Sequence, residues 1–326
     1  MDGKSLVSEV RAANWIRPLR SRLSFPKRGC CLSMSDPVVE IDIRAWVERA
    51  RNDLATYRAR QATEVVLNSI AQTEGLKQQL YLKGGVLMGL AYGSPRQTTD
   101  IDLTTSLEAG DEAAEVIAAL LDAAFPRIVA DLGYAGLVLK VHSVRRLPKG
   151  LFDTADFPAL KLKVGYAAFG TPQHEALIQK KSANTVEVDI SFNEPLNFIQ
   201  VLAIPEGAEL CAYSLCDLIA EKYRAMLQQV ERRRNRRQDV YDLHILIQQL
   251  EIDDTLKQSI LDSFLQKASS RRIEPNIDSL DNPEIRERSG ADWDTMRLEI
   301  GDLPVFAECY ERVRAFYRSL PWSLAP

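Results

Sequence analysis

The chain has 326 residues, of which 46% are hydrophobic and 26% charged, with a formal net charge of -4. That length holds two domains, or one α/β domain with a helical extension, and the composition is that of an ordinary globular protein. The charge excludes a globally basic nucleic-acid-coating protein but leaves room for a local basic face.

No apolar run approaches the roughly 18 residues that span a bilayer, so no membrane partner is expected. Cys30, Cys31, Cys211, Cys216 and Cys309 lack framework spacing, and His142, His174 and His244 lie far apart. This argues against a disulfide scaffold or a zinc site and for a reducing, cytoplasmic setting. The N-terminus is basic without a hydrophobic stretch behind it, unlike a secretory signal.

Residues 1–33 carry Arg11, Arg17, Arg20, Arg22, Lys27 and Arg28 and no sustained period. They read as a disordered arm, as residues preceding a true start at Met34, or as a basic RNA-binding arm, with the second favoured and the third least so. A helical pattern runs from Ile43 to about Thr73. The short apolar stretch Tyr81–Leu82 leads into Lys83-Gly84-Gly85, then a helix over Val86–Ala91, a polar loop from Gly93 to Thr99, and a strand opening at Ile101. Ala113–Phe125 is an Ala/Leu-rich helix. Three strand-like runs follow, over 136–143, 159–167 and 185–192, the last two alternating well. A turn at Pro205-Glu206-Gly207 precedes a helical remainder: Leu215–Val230, Val240–Leu250, Leu256–Ala268 and a last helix over 305–318. The expected organisation is an α/β (α+β) core over 34–205 and a helical C-terminal domain over 206–326.

Asp100-Ile101-Asp102 is the strongest local signal. Carboxylates at i and i+2 of a strand share a face and can converge on one hard cation. Alone, such a pair is more simply a solvated strand end. Upstream, however, Gly84-Gly85 sits at a strand-to-helix junction, where missing side chains let backbone approach a ligand and a helix N-terminus offers N–H groups to a phosphate. Asp189, in Val186-Glu187-Val188-Asp189-Ile190, adds a third acid if its strand neighbours that of Asp102, with Glu187 as competitor. Three carboxylates in one cluster suit two-metal nucleotidyl transfer. Lys222 flanks the apolar stripe of its helix and would neutralise a triphosphate. The run Arg232-Arg233-Arg234-Asn235-Arg236-Arg237 reads as a solvated face, an RNA contact or a triphosphate clamp. Asp239 is placed to cap or open the helix after it.

Taken together, these segments resemble the AbiEii-type nucleotidyltransferases, which include the MenT toxins. The resemblance rests on Leu82-Lys83-Gly84-Gly85, Gly93-Ser94-Pro95-Arg96-Gln97-Thr98-Thr99-Asp100-Ile101-Asp102, Glu187-Val188-Asp189, Ala220-Glu221-Lys222-Tyr223-Arg224 and Arg237-Gln238-Asp239-Val240-Tyr241-Asp242, in order, over about residues 60–260. It implies a polymerase-β-like nucleotidyltransferase core with a helical C-terminal domain. It also implies Mg²⁺ on Asp100 and Asp102, and Thr98 as the small hydroxyl residue near the phosphates of an NTP. Lys222 would bind the triphosphate, and Asp239 would be an essential acid that positions Lys222 or assists deprotonation of the acceptor. Members acting as toxins modify tRNA acceptor ends and are countered by separate antitoxins. Three departures are visible: Thr98 where Ser is common, Val86 where Thr often follows the glycines, and Gln238 in place of a basic residue. They bear on nucleotide preference more than on reaction class.

Two other functions compete with Mg²⁺-dependent transfer of a nucleotide to RNA. One is an inactive module that binds NTP or RNA, against which the intact acids argue. The other is transfer to a small molecule or protein, which the arginine run disfavours.

Overall fold

The computed structural model describes residues 38–98 and 100–324; the arm expected at 1–33 and the start expected at Met34 lie outside the described residues. The elements run β1 (Val39–Glu40), α1 (Ile43–Glu48), α2 (Leu54–Ala71), β2 (Leu80–Lys83), α3 (Gly84–Ala91), β3 (Ile101–Thr105), α4 (Asp111–Asp131), β4 (Leu137–Leu147), β5 (Ala159–Ala168), α5 (Pro172–Ile178), β6 (Thr185–Ser191), β7 (Ile199–Ile204) and β8 (Ala208–Tyr213). The helices α6 (Leu215–Gln228), α7 (Arg237–Gln249), α8 (Asp254–Ser270), α9 (Pro283–Gly290), α10 (Arg297–Ile300) and α11 (Phe306–Arg318) complete it.

One mixed sheet of eight strands, in the order β1-β7-β8-β2-β3-β6-β5-β4, carries the core. Strand β3 runs antiparallel to β2 and parallel to β6, and β5 runs antiparallel to β6. Strands β6 and β7 alternate throughout, and β5 over its first half. Leu160, Leu162 and Val164 of β5, Val186, Val188 and Ile190 of β6, and Ile101 and Leu103 of β3 are all buried, on the face where α2 and α4 pack. The intervening residues, Lys161, Lys163, Glu187, Asp189 and Asp102, face the other way and are only half-buried. Burial of one face fixes the register, because a one-residue slip would carry every apolar side chain to the wrong side.

Several elements depart from the sequence pattern for local reasons. The single helical pattern over 43–73 is two helices. Asp53 breaks it by accepting hydrogen bonds from the Ala55 and Thr56 backbone at 3.0 and 3.3 Å, which caps a new helix rather than extending the old one. Helix α4 passes through Pro126 and continues to Asp131, with Phe125 and Ile128 buried on either side of the proline. The turn at 205–207 joins two strands that the pattern did not single out, β7 and β8, paired antiparallel. The sheet therefore continues past 206, and helices take over only at Ser214, whose hydroxyl accepts from Asp217 N at 3.4 Å.

Beyond the sheet, α6 packs against α7 and α8, and α11 against α7. The centre of this helical part is aromatic. Tyr223, Phe264, Tyr317 and Trp322 meet with ring centroids 4.9–6.2 Å apart, and the Tyr223 hydroxyl donates to the Val313 carbonyl at 2.9 Å. Rings of this size bury enough area to lock helices together, and the buried hydroxyl has found its acceptor.

Candidate active site

Strand β2 ends at Lys83 and the chain turns at once into α3. The turn needs Gly84 at φ +70°, and a Cβ there would lie 2.1 Å from Asp102 Oδ2. The Asp102 carboxylate therefore rests against bare backbone at the start of α3. Gly85 makes a second close approach: a Cβ would fall 2.8 Å from an Arg96 guanidinium nitrogen and 3.1 Å from Thr98. The loop that follows α3 thus folds back over the glycines and brings Thr98 and Asp100 to them.

A cleft of about 290 Å³ opens at this point. Gly84, Gly85, Thr98, Asp100 and Asp102 line it from the sheet side, and Lys222, Asn235, Arg236, Gln238 and Asp239 from the helical side. A larger cavity, of about 520 Å³, lies between α2 and the end of the β4–β5 hairpin and carries no acidic residue. Chemistry rather than size singles out the smaller one.

The helical wall is held by buried charge. Lys222 Nζ donates to Asp242 at 2.6 Å and to Asp239 at 3.1 Å. Arg96 holds the same Asp242 with both ends of its fork, Nε to Oδ1 at 3.3 Å and a terminal nitrogen to Oδ2 at 3.2 Å. The Asp242 side chain is 0% exposed, Lys222 6% and Arg96 9%. Burial pushes the Asp242 carboxyl up, but Lys222 and Arg96 overcome that and hold it below the usual carboxylate range. Burial likewise pulls Lys222 down, and Asp242 and Asp239 more than restore it, so it remains an ammonium. Asp239 sits in the first turn of α7 and does not cap it; Arg236 holds the cap position, and Asp239 pairs with Arg236 at 3.5 Å as well as with Lys222.

On the sheet wall, Asp102 and Asp189 are direct partners in the parallel β3–β6 ladder, with Lys83 beside Asp102 and Lys161 beside Asp189. Asp102 is pushed up to about 6, by burial first and then by Asp189 and Asp100, with Lys83 opposing. The register expected for a third acid is therefore met, but the side chain is not shared. Asp189 Oδ2 accepts from Lys161 Nζ at 2.6 Å, and Asp189 is absent from the cleft wall. Among the described residues, no three His, Cys, Asp or Glu side chains converge to hold a metal ion. Glu187, the competitor, pairs with Lys163 at 3.0 Å.

Sequence patterns missed three supports of this site. Asp242 lies three residues after Asp239, one helical turn on, and closes the last of the five resembling segments, where no role attached to it. Arg96 stood in a polar loop with no period. Lys83 is buried beside Asp102, where its ammonium pairs with Glu194 and donates to Ser191 Oγ at 3.2 Å. Of the arginine run, Arg232, Arg233 and Arg234 are exposed, and only Arg236 reaches the cleft.

A family model described as the nucleotidyl transferase AbiEii toxin of type IV toxin–antitoxin systems matches residues 65–312, a span that contains every residue of the cleft. The chain belongs to the AbiEii nucleotidyltransferase toxin family. It is accordingly a nucleotidyltransferase, and β2, α3 and β3 carry the sheet wall of its cleft. Solved structures are similar at low identity. JHP933 from Helicobacter pylori is 14% identical, covering 83% of this chain and 94% of that one, with TM-score 0.47. MenT4, a nucleotidyltransferase toxin from Mycobacterium tuberculosis, is 20% identical, covering 85% and 99%, with TM-score 0.46. No curated protein matches the chain. No helix among the described residues is long and apolar enough to cross a membrane.

Proposed function

We propose that this AbiEii-family enzyme transfers a nucleoside monophosphate from an NTP to an RNA acceptor, with tRNA the expected acceptor, and that the transfer makes it a cytoplasmic toxin held in check by a separate antitoxin. The observation that carries the reading is the cleft itself. One small space gathers two carboxylates at the start of β3, a glycine turn with a helix N-terminus, and a buried lysine.

Asp100 and Asp102 fit a Mg²⁺ ion. Asp100 immediately precedes β3 and Asp102 lies on it, both line the cleft, and burial among like charges keeps the Asp102 carboxyl near 6, a deficit of positive charge that a cation relieves. Mg²⁺, when bound, neutralises the triphosphate and polarises its α-phosphoryl oxygens. The remaining work falls to the chain. The α3 N-terminus at Gly84 and Gly85 offers N–H groups to phosphate oxygens, and the Thr98 hydroxyl adds a donor beside them. The Lys222 ammonium faces the negative charge that builds as pyrophosphate leaves. Its two carboxylate partners fix it in place, so it serves as a preset charge and not as a base. The acceptor hydroxyl oxygen forms the new bond to the α-phosphorus, the bond to the pyrophosphate breaks, and the hydroxyl proton passes to Asp239 or to solvent. Arg236 on the cleft wall and the exposed Arg232–Arg234 beside it suit the phosphates of an RNA end.

The test is incubation of the full chain with Mg²⁺, total tRNA and each α-³²P-labelled NTP in turn, beside Asp100→Ala. Label in tRNA from one NTP, absent with the variant, is the expected result. Label that persists in Asp100→Ala, or no label in RNA with any NTP, overturns the proposal.

A further inference from the structure

Four charged side chains form one row across four adjacent strands: Lys83 on β2, Asp102 on β3, Asp189 on β6 and Lys161 on β5. Direct partners on neighbouring strands share a face and stand within reach of one another. Two lysines thus bracket two acids, but they are not equivalent. Lys83 is engaged by Glu194 and Ser191. Lys161 turns inward, and its Nζ lies 2.6 Å from Asp189 Oδ2. The other oxygen, Asp189 Oδ1, is buried and has no hydrogen-bond partner. Asp100 and Asp102 line the cleft while Asp189 does not.

Three acids on neighbouring strands ordinarily suit two divalent cations. In this chain one of the three already carries a protein cation. We propose that Lys161 stands in for a second metal ion: its ammonium holds Asp189 and excludes a second divalent cation, leaving one metal position at Asp100 and Asp102. The inference rests on the metal reading given above. A dication brought to Asp189 would meet the ammonium at close range and would have to displace it from a carboxylate it reaches without backbone movement. The ammonium offsets part of the Asp189 charge that stands beside Asp102. Lys161 is here a positioning residue that acts through Asp189, not a group that touches substrate.

The test counts Mn²⁺ bound to the full-length chain in the absence of nucleotide, by electron paramagnetic resonance of the free ion and by calorimetry. The wild-type chain and Asp189→Asn are each expected to bind one ion. Lys161→Met and Lys161→Gln are each expected to bind two, and Lys161→Met combined with Asp189→Asn returns to one. Lys161 is partly exposed, and circular dichroism of each variant checks that the fold is kept. Two ions on the wild-type chain, or one ion on both lysine variants, overturns the inference and leaves the metal reading standing. No ion on any of them overturns the metal reading and the inference with it.

Discussion

Removal of the Asp242 carboxylate is the most severe single perturbation that the site offers. Asp242 is fully buried and is the shared partner of Lys222 at 2.6 Å and of Arg96 at 3.2 Å. Asp242→Ala would strand two buried cations, although Lys222 would keep Asp239 at 3.1 Å. Breaking a buried pair by deleting one member costs about 3–5 kcal/mol, a large share of the roughly 5–15 kcal/mol that holds a domain folded. With a urea slope of about 2–3 kcal/mol/M, the midpoint should fall by roughly 1–2 M at unchanged slope. A cycle with Lys222→Met sharpens the test. In Asp242→Ala the lysine is a liability, so its removal there should restore part of the loss, with a coupling of about 1–3 kcal/mol. The pH dependence has a definite sign. The Asp242 carboxyl is held below its ordinary value of 3.8, so its stabilisation is present above that value and is lost as the pH falls through the folded one. The gap between wild type and Asp242→Ala should therefore close at strongly acid pH. A loss under about 1 kcal/mol at pH 7, or strict additivity with Lys222→Met, would refute the view that this network holds the helical wall of the cleft.

Other outcomes follow from the same geometry. Asp102→Asn should abolish transfer yet stabilise the metal-free protein. The carboxyl is raised from 3.8 to about 6, so wild-type stability falls as the pH rises through that window, by about 3 kcal/mol in all, and the variant should lack this slope in urea titrations between pH 3.5 and 8. Added Mg²⁺ should raise the melting temperature of the wild type and not of Asp102→Asn, and equal shifts in both would remove Asp102 from the metal site. Gly84→Ala places a methyl 2.1 Å from Asp102 Oδ2 at a positive φ, and a stability loss of about 1–3 kcal/mol with transfer abolished is expected. Asp239→Asn leaves Lys222 paired with Asp242, so stability measured by calorimetry should change by less than about 1 kcal/mol while kcat falls at least tenfold.

The elements of the cleft were legible because their signals are local. Alternation made β5 and β6 strands with one buried face, and close spacing brought Asp100, just before β3, and Asp102, on it, to one cleft. Gly84 needed no partner to announce a turn that other residues enter only with strain. The order of the five motifs likewise carried the family. Where local chemistry competes with a period, the period misleads: Asp53 caps a new helix inside one apparent pattern, and β7 and β8 flank a turn whose own residues give the stronger signal. What only the tertiary structure decided is which charges meet. Asp102 and Asp189 stand 87 positions apart in sequence, and the parallel β3–β6 ladder makes them neighbours. Lys161 faces Asp189 because the next strand runs antiparallel in that register, and Arg96 reaches Asp242 across 146 residues. Spacing along a chain determines the face on which a side chain emerges. The energy of a buried charge depends on what the fold brings within a few ångströms of it, and no local pattern encodes that.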